Sequence, residues 1–198
     1  MSEMLGEAGL DLLFRNARTH SAWQPRSLEA ELPQKLYELT KWGPTSVNSG
    51  PARFVFLTSL EARTRIKPHL DPGNVDKVMS SPCCVIVAYD RQFYSKLEVL
   101  TPPMGKLAEA FFIANPDKAE DNATRNSALQ GAYLIMAARA LGLDCGPMQG
   151  FNREGVDGEF FAGESWTTNF LLNIGYGDAD KLIPRKPRLK FEEACRVL

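Results

Sequence analysis

Apolar and polar positions alternate with two periods along this chain, and the periods divide it into elements. Leu10, Leu13, Phe14 and Ala17 recur at i, i+3, i+4, i+7, the stripe of a first helix. Leu28, Leu32, Leu36, Leu39 and Trp42 repeat the pattern in a second. Ser27 can N-cap that helix, with Glu29 and Glu31 near its positive end, while Pro33 places the start of its regular part. The period then drops to two. Phe54-Val55-Phe56-Leu57-Thr58 reads as a strand, and Val85-Ile86-Val87-Ala88-Tyr89 as a strand covered on both faces. Ser59 caps a helix between them, and Asp71-Pro72-Gly73-Asn74 reads as a turn. Lys106–Ala114 is helical between proline interruptions, so residues 91–120 form either a lid over a pocket or a mobile surface excursion. Asp121–Leu141 is the most helical segment and is apolar on more than one side, so it is buried in the domain or against a partner. Gly142 fits its C-terminal cap. Thr167–Gly177 closes the series as a strand with a glycine exit.

Strands and helices in this order predict one α+β domain over residues 1–198, a sheet flanked by helices. A formal net charge of −1 gives no reason to expect a nucleic-acid partner. No apolar run approaches the ~20 residues of a membrane span, and the start from Met1 to Glu7 has neither a basic nor an apolar leader region. A cytoplasmic protein is the expectation. Cys83, Cys84, Cys145 and Cys195 show no metal spacing, and Cys83-Cys84 opens a strand whose neighbours point to opposite faces; core packing is the expected role. Glycine-rich nucleotide loops of the Rossmann and P-loop kinds are absent, as is a nucleophile elbow. A resident nicotinamide site is therefore disfavoured.

Four stretches could carry chemistry, and each has a plainer reading. Lys41–Phe54 packs two glycines, two prolines, Thr45, Ser46, Asn48 and Ser49 between a helix and a strand. It is either a simple connection or a ligand loop on a rigid scaffold. Arg18-Thr19-His20-Ser21 could hold a phosphate, or Arg18 could simply cap its helix. Pro147-Met148-Gln149-Gly150 ends on a residue without Cβ, which marks a turn or the close approach of a flat ring. Lys181, Arg185, Lys186, Arg188 and Lys190 form a basic tail that is either solvated or closed over an anion.

The run Pro44-Thr45-Ser46-Val47-Asn48-Ser49-Gly50-Pro51-Ala52-Arg53-Phe54 resembles the flavin loop of the nitroreductase superfamily. Pro147-Met148-Gln149-Gly150-Phe151-Asn152 is similar to a second motif of that family, and the resemblance spans about Phe14 to Cys195. It implies a mostly antiparallel sheet in an intertwined homodimer that binds FMN. NADH or NADPH would reduce the flavin and leave; an aldehyde, nitro compound or quinone would take the hydride. Arg18, Thr19 and His20, with Arg185 and Arg188, are implied to hold the phosphate. Pro44, Thr45, Ser46 and Asn48 would meet the flavin, and Pro147, Gln149 and Gly150 would lie near its reactive nitrogen. No side chain is implied as a catalytic acid. Gly50 and Ala52, where many members carry Gln and Trp, and the Trp42–Ser46 run resemble the branch of malonic semialdehyde reductases. A broad nitro or quinone reductase and a flavin-binding module without turnover are the alternatives.

Overall fold

The computed structural model describes residues 3–198. Met1 and Ser2, the start of the stretch read for a leader, lie outside the described residues. Four strands form one antiparallel sheet, β1 (Ala52–Leu57), β2 (Cys83–Asp90), β3 (Asp144–Met148) and β4 (Trp166–Gly175), in the order β1-β2-β4-β3. Val55 stands opposite Ile86, Val85 opposite Leu172, and Cys145 opposite Ile174. All eight residues of β2 are buried, as its unbroken apolar run requires of a central strand.

The helices, numbered in chain order, are α1 (Glu7–Leu10), α2 (Leu32–Thr40), α3 (Leu60–Ile66), α4 (Pro72–Ser80), α5 (Leu97–Leu100), α6 (Gly105–Ala114), α7 (Pro116–Ala140), α8 (Arg153–Phe160) and α9 (Phe191–Ala194). On one face of the sheet Cys83, Val85 and Val87 meet Leu32 and Leu36 of α2 and Leu134 and Ala138 of α7. On the other, Cys84, Ile86 and Ala88 meet Ile66, Val78 and Val156 of α3, α4 and α8. The adjacent cysteines thus point to opposite faces as small core residues. No described helix is long and apolar enough to cross a membrane.

Caps account for several boundaries. Ser59 Oγ accepts from Ala62 N at 3.0 Å and starts α3. Gly142, at φ +75°, takes the left-handed position that ends α7. Other expectations are corrected. Ser27 caps nothing: Glu31 is the N-cap of α2, with Pro33 in its first turn. Asp71–Asn74 is not a free turn but the first turn of α4, because proline is pre-organised at the start of a helix. α7 starts at Pro116 and not at Asp121, the proline that separates it from α6 being its first residue, which gives a 25-residue helix of about 37 Å. Leu39 and Trp42 do not join the α2 core stripe and lie exposed, Trp42 at 77%.

Residues 91–114 are anchored. Phe93, Leu97 and Phe112 are buried with Tyr89, Ala119 and Ala123 in a core of their own. A segment with a private core is a wall, not a loose excursion.

Candidate functional site

The edge strand β3 gathers the first half of the site. Arg18-Thr19-His20 runs alongside it: Thr19 bridges Cys145 in parallel, and His20 N donates to Cys145 O at 3.0 Å. The approach is so close that a Cβ on Gly146 would lie 2.4 Å from His20 O. The C-terminal tail then folds back on the same segment. Arg185 Nη2 donates to Arg15 O at 2.8 Å and Ala17 O at 3.0 Å, while Arg18 Nη2 donates to Ile183 O at 2.5 Å. Two arginines 167 positions apart in the chain are thereby laced across each other's backbone.

They line a cavity of about 640 Å³. Arg18, Lys77 and Arg139 come to it from the body of the fold, and Lys181, Arg185, Lys186 and Arg188 from the tail; none of its lining residues is Asp or Glu. Arg139 Nη1 donates to Leu13 O at 3.1 Å, but its buried Nε has no acceptor. A concentration of cations without counter-charge, holding an orphaned buried donor, fits a phosphate dianion.

Past the end of β3 the backbone is held from α4. Gly150 O accepts from Asp71 N at 3.1 Å and from Asn74 Nδ2 at 2.8 Å. Lys77 Nζ donates to Asn74 Oδ1 at 2.9 Å, one helical turn on. Asn74 is thus a buried relay between Gly150 and a cation of the cavity. Among the described residues, the Gly150 N–H makes no hydrogen bond.

The second half of the site is the loop before β1. Val47 and Asn48 have φ +49° and +50°, left-handed values that are strained for a β-branched residue. Ser46 N donates to Asn126 Oδ1 at 2.8 Å, Gly50 N to Thr45 Oγ1 at 3.1 Å, and Asn48 Nδ2 to Leu100 O at 2.7 Å; Thr101 Oγ1 bonds the Val47 carbonyl. The strained loop is therefore tied to α7 on one side and to the wall of residues 91–114 on the other. Between them is an apolar cavity of about 870 Å³, lined by Val47, Met104, Leu107, Ala108 and Phe111, with Lys118 and Arg125 among its polar lining. Asn126 and Arg139 are about 20 Å apart along α7, so the two halves sit at different levels of one helix.

The family model described as Nitroreductase family matches residues 14–176. The chain belongs to the nitroreductase family. A protein of Rhodopseudomonas palustris (strain TIE-1), provisionally named NADH dehydrogenase/NAD(P)H nitroreductase, is 54% identical over 198 residues, the full length of both. Among solved structures, a provisionally named nitroreductase in complex with FMN from Exiguobacterium sibiricum superposes with a TM-score of 0.83 at 20% identity, covering 100% of both chains. A nitroreductase family protein from Streptococcus pneumoniae gives 0.82 at 16% identity, over 94% of this chain and 98% of that one. These structures share the nitroreductase fold with this chain, an α+β arrangement around an antiparallel sheet.

Within this nitroreductase frame the structure brings together Arg18, Thr19, Arg185 and Arg188, with Pro147 on the neighbouring strand. Pro44, Thr45, Ser46 and Asn48 are elsewhere, on the α7 and α5 side. His20 departs from its expected place: it is 7% exposed, its Nε2 is 3.4 Å from Asp144 Oδ1, and it does not line the cationic cavity. Its ring fills the space beside Gly177, where a Cβ would lie 2.1 Å away. The reason for Gly150 also changes. A Cβ there would meet Asn74 Nδ2 at 2.6 Å and Asp71 Oδ2 at 2.8 Å, so the glycine makes room for α4. Asn74, Lys77 and Arg139 were not legible as site residues. The spacing Asn-x-x-Lys on the first turns of a helix was the available signal, masked by reading Asp71–Asn74 as a turn.

Proposed function

We propose that this chain is an FMN-dependent NAD(P)H oxidoreductase whose flavin site is completed across a homodimer. The observation that carries the reading is the cavity whose charged lining residues are all cationic. Arg18, Lys77, Arg139 and Arg185 would hold the phosphate. Asn74 holds the Gly150 carbonyl, and Pro147 and Gln149, both exposed, precede it on the same edge. When bound, FMN supplies hydride transfer, from NADH or NADPH to an acceptor. The protein positions and excludes water, and no side chain is needed as an acid.

Pro44–Asn48 would serve the flavin of the partner copy. Its distance along α7 from the cationic cavity supports this, as does an exposed apolar surface at Trp42, Leu129 and Tyr133. For the acceptor, the apolar lining beside Ser46 and Val47 favours a planar nitroaromatic or quinone. The second reading, reduction of malonic semialdehyde to 3-hydroxypropionate, is favoured by the Trp42–Ser46 run with Gly50 and Ala52. An absorbance spectrum of the purified chain, before and after each nicotinamide, tests the cofactor reading: a flavin band that NADH or NADPH bleaches is expected, and a colourless chain that takes up no FMN would overturn it. Comparing kcat/KM for a nitroaromatic, a quinone and malonic semialdehyde then ranks the acceptors.

A further inference from the structure

Arg63 of α3 lines a separate cavity of about 530 Å³ that shares no lining residue with the cationic one. The residue is 8% exposed, yet no described carboxylate pairs with it. Its Nη1 donates to Thr58 O at 2.8 Å and Pro82 O at 3.1 Å, and its buried Nε has no acceptor. A guanidinium keeps its charge at any pH a protein meets, so burying it without counter-charge is costly. Carbonyl oxygens satisfy donors but bring no net charge.

A second arginine lines the same cavity. Arg26 lies over the Tyr176 ring, 3.6 Å from its centroid. Such a contact uses the face of the group and leaves its in-plane N–H donors available. Glu29 is the lining carboxylate, and its Oε2 is held by Lys35 Nζ at 2.5 Å, so it neutralises neither arginine. The Ser27 and Thr58 hydroxyls, also on the lining, make none of the described side-chain hydrogen bonds.

We propose that this cavity binds a phosphate-bearing anion, as free phosphate or as a phosphomonoester, between Arg26 and Arg63. Two uncompensated guanidiniums with two free hydroxyls match a dianion that has several acceptor oxygens. The volume is in the range of small-molecule sites, leaving room for an organic body on the phosphate. This inference does not depend on the flavin reading.

The test is calorimetric titration of inorganic phosphate, and separately of adenosine monophosphate, into the full chain loaded with one equivalent of FMN and freed of excess, at constant ionic strength set with chloride. Saturable binding is expected, weakened about tenfold or more in Arg26→Ala and in Arg63→Gln. Tighter binding of the nucleotide assigns a phosphomonoester; equal binding assigns the free ion. Arg26 is exposed, so Arg26→Ala decides the matter if Arg63→Gln does not fold. Absence of saturable binding in the wild type, or wild-type affinity in Arg26→Ala, would each overturn the proposal.

Discussion

Arg18 and Arg185 each face two demands, a backbone carbonyl and the cavity they line. Charge-assisted bonds are worth roughly 1.5–3 kcal/mol. Arg18→Ala and Arg185→Ala are therefore expected to purify folded with FMN affinity reduced about 10–150-fold, read by flavin fluorescence on dilution. Wild-type affinity in both would remove them from the phosphate site. The thiols offer a separate check. Burial pushes Cys83 and Cys145 from an ordinary 9.0 up to about 12, and Cys84 higher still. Native protein should thus show one fast thiol towards Ellman's reagent, the exposed Cys195, and four once denatured. The raised values also set a direction in pH. Below 9.0 the buried thiols are neutral folded and unfolded, and their contribution is fully present. Between 9.0 and about 12 only the unfolded chain ionises, so stability should fall as pH rises through that window. A denaturant midpoint unchanged from pH 8 to pH 11 would contradict it.

At the scale of elements, the strained loop is held both from α7 and from the segment after α5. Val47 occupies a conformation that costs a non-glycine residue about 1–2 kcal/mol, while its side chain lines the apolar cavity. Val47→Gly is expected to leave the melting temperature unchanged or raised, and to raise KM for an apolar acceptor. A clear drop in melting temperature would show that the loop is not strained. Asn48 donates to Leu100 O, so Asn48→Leu cuts a tether between the loop and α5. It should lower the rate of flavin reduction more than it lowers stability; reduction as fast as wild type would deny Asn48 any role. The strands and α7 were legible because a central strand and a buried helix leave long apolar runs. The lid-or-excursion question over residues 91–120 was not, because the burial of Phe93 and Phe112 against Tyr89 depends on how distant segments meet.

Across the whole molecule, one face of α7 remains uncovered. Leu129 is 49% and Tyr133 43% exposed, beside the exposed Trp42. Met136 is only partly buried, and the outward positions are the better targets for breaking an interface. Leu129→Glu is expected to give monomer or aggregate and to lose FMN in step, followed by sedimentation alongside flavin fluorescence. A monomeric variant that keeps flavin and full turnover would place the whole site in one chain.

What lay in the sequence alone was whatever is written in local periods and local geometry. Period two marked β1, an unbroken apolar run marked β2, and β4 ended on glycines; period 3.6 marked α2 and α7; Ser59 and Gly142 marked ends because capping acts within a turn. The motif at Pro44–Phe54 pointed to the family. What only the tertiary structure decided were relations across the chain. Arg18 and Arg185 lie far apart in sequence, and their meeting depends on the tail folding back over β3. His20 has the composition of a ligand, but its burial against Asp144 and Gly177 is set by packing. Asn74 and Lys77 became candidate site residues because α4 docks on Gly150, a contact between segments 76 positions apart.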